Sequence, residues 1–131
     1  MNLKIITQEK VVFDSDVDEI YTKGVDGEFG ILKGHISVMS ALDIGVTRIK
    51  KGDVSRAFTT MGGVLQFKDD ECLILTTLAE PGDEIDEMRA RESLERNRKL
   101  LMNSKSKMEA KKFEASVARA KARLKAKLND E

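Results

Sequence analysis

Glu80-Pro81-Gly82-Asp83-Glu84 divides this chain of 131 residues into two unlike parts. Proline removes a ladder donor and glycine frees the backbone, so any strand pattern ends here. Upstream, short segments rich in Val, Ile, Leu and Thr recur between turn signals, the pattern of an all-β sandwich or barrel. Leu3 to Thr7 opens the series, followed by Val17 to Thr22, Ile36 to Ser40, Val46 to Lys50, Ser55 to Thr60, Val64 to Phe67 and Cys72 to Ala79. Lys51-Gly52-Asp53 and Lys68-Asp69-Asp70 read as hairpin turns. Gly62-Gly63, inside strand-like sequence, marks a bulge or the close approach of another backbone.

Downstream there is no proline or glycine, and Ala, Leu, Lys, Arg and Glu dominate, so this part is predicted helical. Asp83 or Asp86 supplies an N-cap. Asn103-Ser104-Lys105-Ser106 favours caps and turns, which splits the region into helices over 86–102 and 106–128 folded as a hairpin. Phe113, Val117, Ala120 and Leu124 share a face of the second helix, and Ala90, Leu94 and Leu101 a face of the first. Both stripes are thin, so the hairpin is expected to be marginal and able to open. The expected class is therefore α+β: an N-terminal all-β sandwich of about ten short strands, residues 1–84, then an antiparallel two-helix hairpin, residues 85–131.

Composition limits what such a chain does. Hydrophobic residues make up 40% and charged residues 35%, with no Trp, so aliphatic side chains must build a modest core. No apolar run reaches the length of a membrane span, and no apolar signal-peptide core is present, so a cytosolic face is expected. Cys72, the single cysteine, excludes an internal disulfide and reads as a small buried hydrophobe. The net charge of zero conceals an acidic front and a basic back: residues 1–84 hold 9 Lys+Arg against 15 Asp+Glu, and residues 85–131 hold 14 against 8. Two modules with different partners are implied.

Arg89 and Arg96 share a face of the first helix, and Arg119 and Arg123 a face of the second. If the apolar stripes pack together, four guanidinium groups flank one groove, where like charges repel until an anion enters. Guanidinium suits phosphate because its donor fork binds oxygens bidentately. On spacing alone, solvated arginines in ordinary pairs, such as Glu92 with Arg96, are the commoner explanation.

Two motifs alter that balance. Gly27-Glu28-Phe29-Gly30-Ile31-Leu32-Lys33-Gly34-His35, continued by Ala41-Leu42-Asp43-Ile44-Gly45-Val46, resembles the N-terminal domain of the F-type ATP synthase epsilon subunit family. Ile85-Asp86-Glu87-Met88-Arg89-Ala90 resembles the Ile/Leu-Asp-x-x-Arg-Ala segment with which some bacterial members recognise ATP. The resemblance covers nearly the whole chain. It implies a central-stalk rotor subunit whose sandwich binds gamma and the c-ring, and whose hairpin, when extended, inhibits ATP hydrolysis by contacting the catalytic alpha/beta head.

Carried over residue by residue, the resemblance places Glu80, Ile85, Asp86 and Ala90 at the adenine and ribose end of an ATP site, and Arg89, Arg96, Arg119 and Arg123 at the phosphates. It places Glu28 and His35 against the c-ring, and Arg119, Arg123 and Lys127 at the inhibitory contact. Lys33 stands where family members usually carry proline, a departure within the c-ring loop. The family's position is peripheral, on the cytoplasmic face of the bacterial membrane, with the membrane met only through the c-ring.

ATP is implied as a regulatory ligand, with no obligatory cofactor, no metal and no catalytic residue. The chain lacks a Gly-x-x-x-x-Gly-Lys-Ser/Thr loop, and His35 is its only histidine. A free-standing ATP-sensing module is the alternative, distinguished by failure to co-purify with gamma. Nucleic-acid binding by the basic helices is disfavoured by the acidic, aromatic-poor front.

Overall fold

The computed structural model describes residues 1–129; the last two positions of the expected helical module, 130 and 131, lie outside the described residues. Seven strands precede two helices: β1 (Asn2–Ile6), β2 (Val11–Asp16), β3 (Glu19–Gly24), β4 (Gly27–Leu32), β5 (Val38–Lys51), β6 (Val54–Lys68), β7 (Glu71–Leu75), α1 (Glu87–Met102) and α2 (Lys107–Asn129). The strands run in the order β2-β1-β7-β6-β5-β3-β4, antiparallel except for the parallel β1–β7 pair. The class is as expected, but the strand count is seven, where about ten short strands were predicted.

Of the segments named from sequence, two pairs are each one long strand, while β2 and β4 were not among those named. Ile36 to Ser40 and Val46 to Lys50 lie mostly within β5, and Ser55 to Thr60 and Val64 to Phe67 within β6. β5 and β6 pair along nearly their whole lengths, from Val38↔Phe67 to Lys51↔Val54, and so carry the sheet through both layers of the sandwich. Their turn is Gly52, with φ 58°, and the β6–β7 turn places Asp69 and Asp70 at φ 53° and 62°, the geometry of a type I′ hairpin. Both predicted hairpin turns are thus observed.

Gly62-Gly63 sits where β6 changes partner. Its C-terminal part pairs with β7 up to Val64↔Leu75, whereas Thr59 and Met61 donate to the carbonyls of Glu80 and Leu78 at 2.9 and 3.1 Å. The chain leaving β7 crosses over Gly63, where a Cβ would lie 1.9 Å from the Leu75 carbonyl oxygen.

Leu3, Ile5, Val17, Ile20, Ile31, Leu42, Ile49, Phe58, Leu65, Phe67, Cys72 and Ile74 form the core between the layers. Three buried threonines cross it as a hydroxyl ladder: Thr22 to Thr47 at 2.8 Å and Thr47 to Thr60 at 3.1 Å. Each hydroxyl is satisfied by a neighbour, which removes the penalty of burying it.

Cys72 lies within this core, where burial pushes its thiol up to about 12 from the ordinary 9.0. The folded state therefore favours the protonated thiol. Its contribution is complete below the unfolded value and is lost as pH rises from about 9 toward about 12. The native thiol is expected to resist a disulfide reagent at pH 8 and to react fully in denaturant; stoichiometric reaction of the native protein would contradict this.

The helices pack on the sandwich through a second, smaller cluster of Val46, Ala57, Ile85, Ala90, Ala122 and Ala126, with Ile44 and Leu124 partly buried beside it. Alanines allow close approach and bury little area per residue. Asp86 caps α1 by accepting from the Arg89 amide at 3.1 Å. Ser106 accepts from the Glu109 amide at 3.1 Å while Glu109 accepts from the Lys105 amide at 2.9 Å, a near relative of the capping box that starts α2. Among the described residues no helix is long and apolar enough to cross a membrane.

Candidate functional site

Glu80 is fixed before it meets any ligand. Its amide donates to Thr59 Oγ1 at 2.9 Å, and the Thr59 hydroxyl lies 3.4 Å from Glu80 Oε1, so β6 holds both ends of the residue. The same carboxylate oxygen accepts from Arg123 Nε of α2 at 2.9 Å, with both side chains about a third exposed or less (32% and 28%). This ion pair ties the linker to the second helix. Lys127, one turn further along α2, donates to the Asp83 carbonyl at 3.4 Å.

A groove of about 510 Å3 opens beside the pair, lined by Glu80, Glu84, Ile85, Asp86, Arg89, Ala90, Ser93, Arg96 and Arg123. Its volume is within the range of about 300–1,000 Å3 typical of small-molecule sites. Seven of the eight residues expected at the nucleotide line it: Glu80, Ile85, Asp86, Arg89, Ala90, Arg96 and Arg123. Arg119 does not. Its guanidinium donates to Ser116 Oγ at 3.0 Å, on its own helix.

The side chains in the groove have distinct duties. Ile85 and Ala90 are buried in the helix–sandwich cluster and shape the wall. Asp86 spends one oxygen on the helix cap, which starts α1 at the point that sets the direction of Arg89. Arg89 and Arg96 are exposed and have no ion-pair partner among the described residues. The Glu92–Arg96 pair considered from spacing is absent; the α1 pairs are Glu87–Arg91 and Glu95–Arg98. The groove is therefore lined by two guanidinium groups without an ion-pair partner among the described residues, together with the carboxylates of Glu80, Glu84 and Asp86.

Glu28 and His35, both expected against the c-ring, lie on different elements. Gly27 to Leu32 is strand β4, paired antiparallel with β3, and Gly30 leaves room for the Tyr21 ring opposite it, where a Cβ would come within 2.9 Å. Glu28 is on this strand, and Lys125 of α2 donates to its carboxylate at 3.2 Å. His35 lies in the loop beyond β4, exposed, with its ring edge-on to Phe67 at 6.0 Å between centroids.

Sequence reasoning missed Glu84, Ser93, Thr59 and Lys125. Helical spacing carried a signal for Ser93, which is four residues after Arg89 and three before Arg96. Thr59 and Lys125 reach their partners only through tertiary packing.

Family models match both parts of the chain. Residues 1–82 match the beta-sandwich domain of the ATP synthase delta/epsilon chain, and residues 83–127 match its long alpha-helix domain. The chain belongs to the ATP synthase delta/epsilon family.

Among relatives in this family, the ATP synthase epsilon chain of Syntrophobacter fumaroxidans is 38% identical over 95% of this chain and 93% of its own length. The epsilon chain of Acaryochloris marina is 36% identical over 96% and 94%, and the chloroplastic one of Gracilaria tenuistipitata 35% over the same shares. A chain in the Euglena gracilis mitochondrial ATP synthase, solved as an OSCP/F1/c-ring assembly, superposes with a TM-score of 0.84 at 24% identity, covering 96% of this chain and 79% of that one. At that identity the likeness shows a shared fold.

Proposed function

We propose that this chain is a non-catalytic rotor subunit of the central stalk of an F-type ATP synthase. Residues 1–84 bind gamma and the c-ring, and the helical region, residues 85–131, is a regulatory hairpin. Membership of the delta/epsilon family across both regions supports the rotor assignment. The corresponding location is peripheral, at the cytoplasmic face of the membrane, which is met through the c-ring. Glu28 and His35 are the proposed c-ring contacts; both are exposed.

The observation that carries the regulatory half is the groove. It is lined at once by the linker, α1 and α2, so an occupant of the groove stabilises the folded hairpin over any extended form. ATP is the proposed occupant, with its base toward Glu80, Ile85, Asp86 and Ala90 and its phosphates on Arg89, Arg96 and Arg123. Arg119 joins them by leaving Ser116, a contact that costs little to break at a half-exposed site. In the extended state Arg119, Arg123 and Lys127 meet acidic segments of the catalytic head. Arg123 and Lys127 hold the linker in the folded state, so the two states exclude each other.

Calorimetric titration of ATP into the isolated chain tests the ligand. Saturable binding is expected, and Arg119→Ala/Arg123→Ala is expected to abolish it. No heat at millimolar ATP would remove the nucleotide from this reading. Co-expression with gamma tests the rotor assignment separately, because a free-standing ATP sensor would not co-purify.

A further inference from the structure

Ser93 is one of two groove residues, with Glu84, outside the expected nucleotide set, and its hydrogen bonding sets it apart. Asn97 Nδ2 donates both to the Ser93 carbonyl at 2.8 Å and to Ser93 Oγ at 3.2 Å. The hydroxyl oxygen therefore acts as an acceptor, and its proton is given to no protein group among the described residues. A helical serine can donate to the carbonyl four residues back. Ser116 on α2 does so, to Lys112 at 3.2 Å. Ser93 does not.

The position of that uncommitted donor is specific. Ser93 is half-buried, one turn beyond Arg89 and one turn before Arg96, and lines the same groove as Arg123 of α2. A hydroxyl accepts and donates at once, and a bond received from Asn97 strengthens the one it gives. In a groove that Arg89, Arg96 and Arg123 also line, a free O–H donor adds to a site for an oxyanion. We infer that Ser93 donates a hydrogen bond to a phosphate group held in the groove, and that Asn97 is a positioning residue that sets the hydroxyl's direction. This rests on the nucleotide reading above and adds a neutral donor to its four arginines.

The test uses the full chain with two probes, ATP and inorganic tripolyphosphate, the second lacking a base. Ser93→Ala removes only the hydroxyl, and alanine favours the helix, so thermal stability and helicity are expected to be unchanged. Loss of one hydrogen bond to a charged group is expected to weaken both probes by about tenfold or more. Ser93→Thr, which keeps the hydroxyl, is expected to restore most of the affinity, and Asn97→Ala to give about a twofold to threefold loss for both probes. Wild-type binding that Ser93→Ala leaves unaltered would overturn the role of Ser93 and leave the nucleotide reading standing. A loss for ATP without a loss for tripolyphosphate would also overturn it, by moving the hydroxyl to the base or ribose. Failure of the wild type to bind either probe would remove the nucleotide reading and this inference with it.

Discussion

Gly63→Ala is expected to lower the midpoint of thermal unfolding by about 10–20 °C, or to prevent accumulation of folded protein. Two independent costs combine at this residue. Its φ of 115° is one that L side chains rarely adopt. A Cβ would also stand 1.9 Å from the Leu75 carbonyl oxygen and 2.9 Å from both the Leu75 carbonyl carbon and Thr76 Cα. These are backbone atoms, so no rotamer change relieves the overlap. Together they amount to about 3–5 kcal/mol, a large part of the roughly 5–15 kcal/mol that holds a domain folded. Gly52→Ala is the matched control, because it has positive φ with nothing within 4 Å of its Cβ, and a much smaller loss is expected. Comparable melting shifts for the two variants would show that the chain crossing is not the constraint.

Removing residues 106–131 is expected to raise ATP hydrolysis by the assembled enzyme severalfold while leaving assembly intact. The described part of this segment meets the sandwich mainly through the alanine-rich cluster, and the sandwich core draws no residue from it. Deletion therefore leaves the β-structure whole while taking away Arg119, Arg123 and Lys127, the proposed inhibitory contacts. A small interface dominated by Ala90, Ala122 and Ala126 contributes modest hydrophobic stabilisation. The Glu80–Arg123 pair adds a directional tie whose value at such exposure is further reduced by solvent. Both features suit an element that must come off and return. Hydrolysis measured on the reconstituted complex at matched subunit composition decides the matter; an unchanged rate would refute inhibition by the hairpin.

The missed strands show where sequence reading loses information. β2 and β4 escaped it, and they are the two edges of the sheet. An edge strand satisfies one side of its backbone and leaves the other to solvent, so it needs fewer apolar side chains to hold it. Val11–Asp16 ends in Asp14-Ser15-Asp16, and its burial pattern has no fully buried residue. Gly27–Leu32 contains two glycines, which read locally as a turn, and its place in the sheet is set by a ladder with β3 from Glu19↔Leu32 to Gly24↔Gly27. β5 and β6 were divided for a related reason, since Gly62-Gly63 reads locally as an interruption although the pairing with β5 runs through it.

The helical half was more legible because its signals are local. Asp86 as cap and the break at Asn103 to Ser106 depend on neighbours within a turn or two, and the observed helices begin and end within a residue or so of the expected bounds; the α2 stripe was legible only in part, with Val117 and Ala120 buried as expected but Ala122 and Ala126 unforeseen. Helical spacing also placed Arg89 and Arg96 on one face, and both line the groove.

The sequence by itself determined the division at Pro81, the β-then-α class, both hairpin turns, the helix bounds and most of the residues around the groove, because each follows from propensity, periodicity or capping within a few residues. Only the tertiary structure decided that Arg123 meets Glu80, that Lys125 meets Glu28, that Arg119 turns away to Ser116 and that Ser93 offers a free donor among the cations. The two ion pairs join residues 43 and 97 positions apart. Which charges meet across that separation is set by how α2 lies on the sandwich, and that placement comes from the burial of small apolar side chains, a force that has no direction of its own.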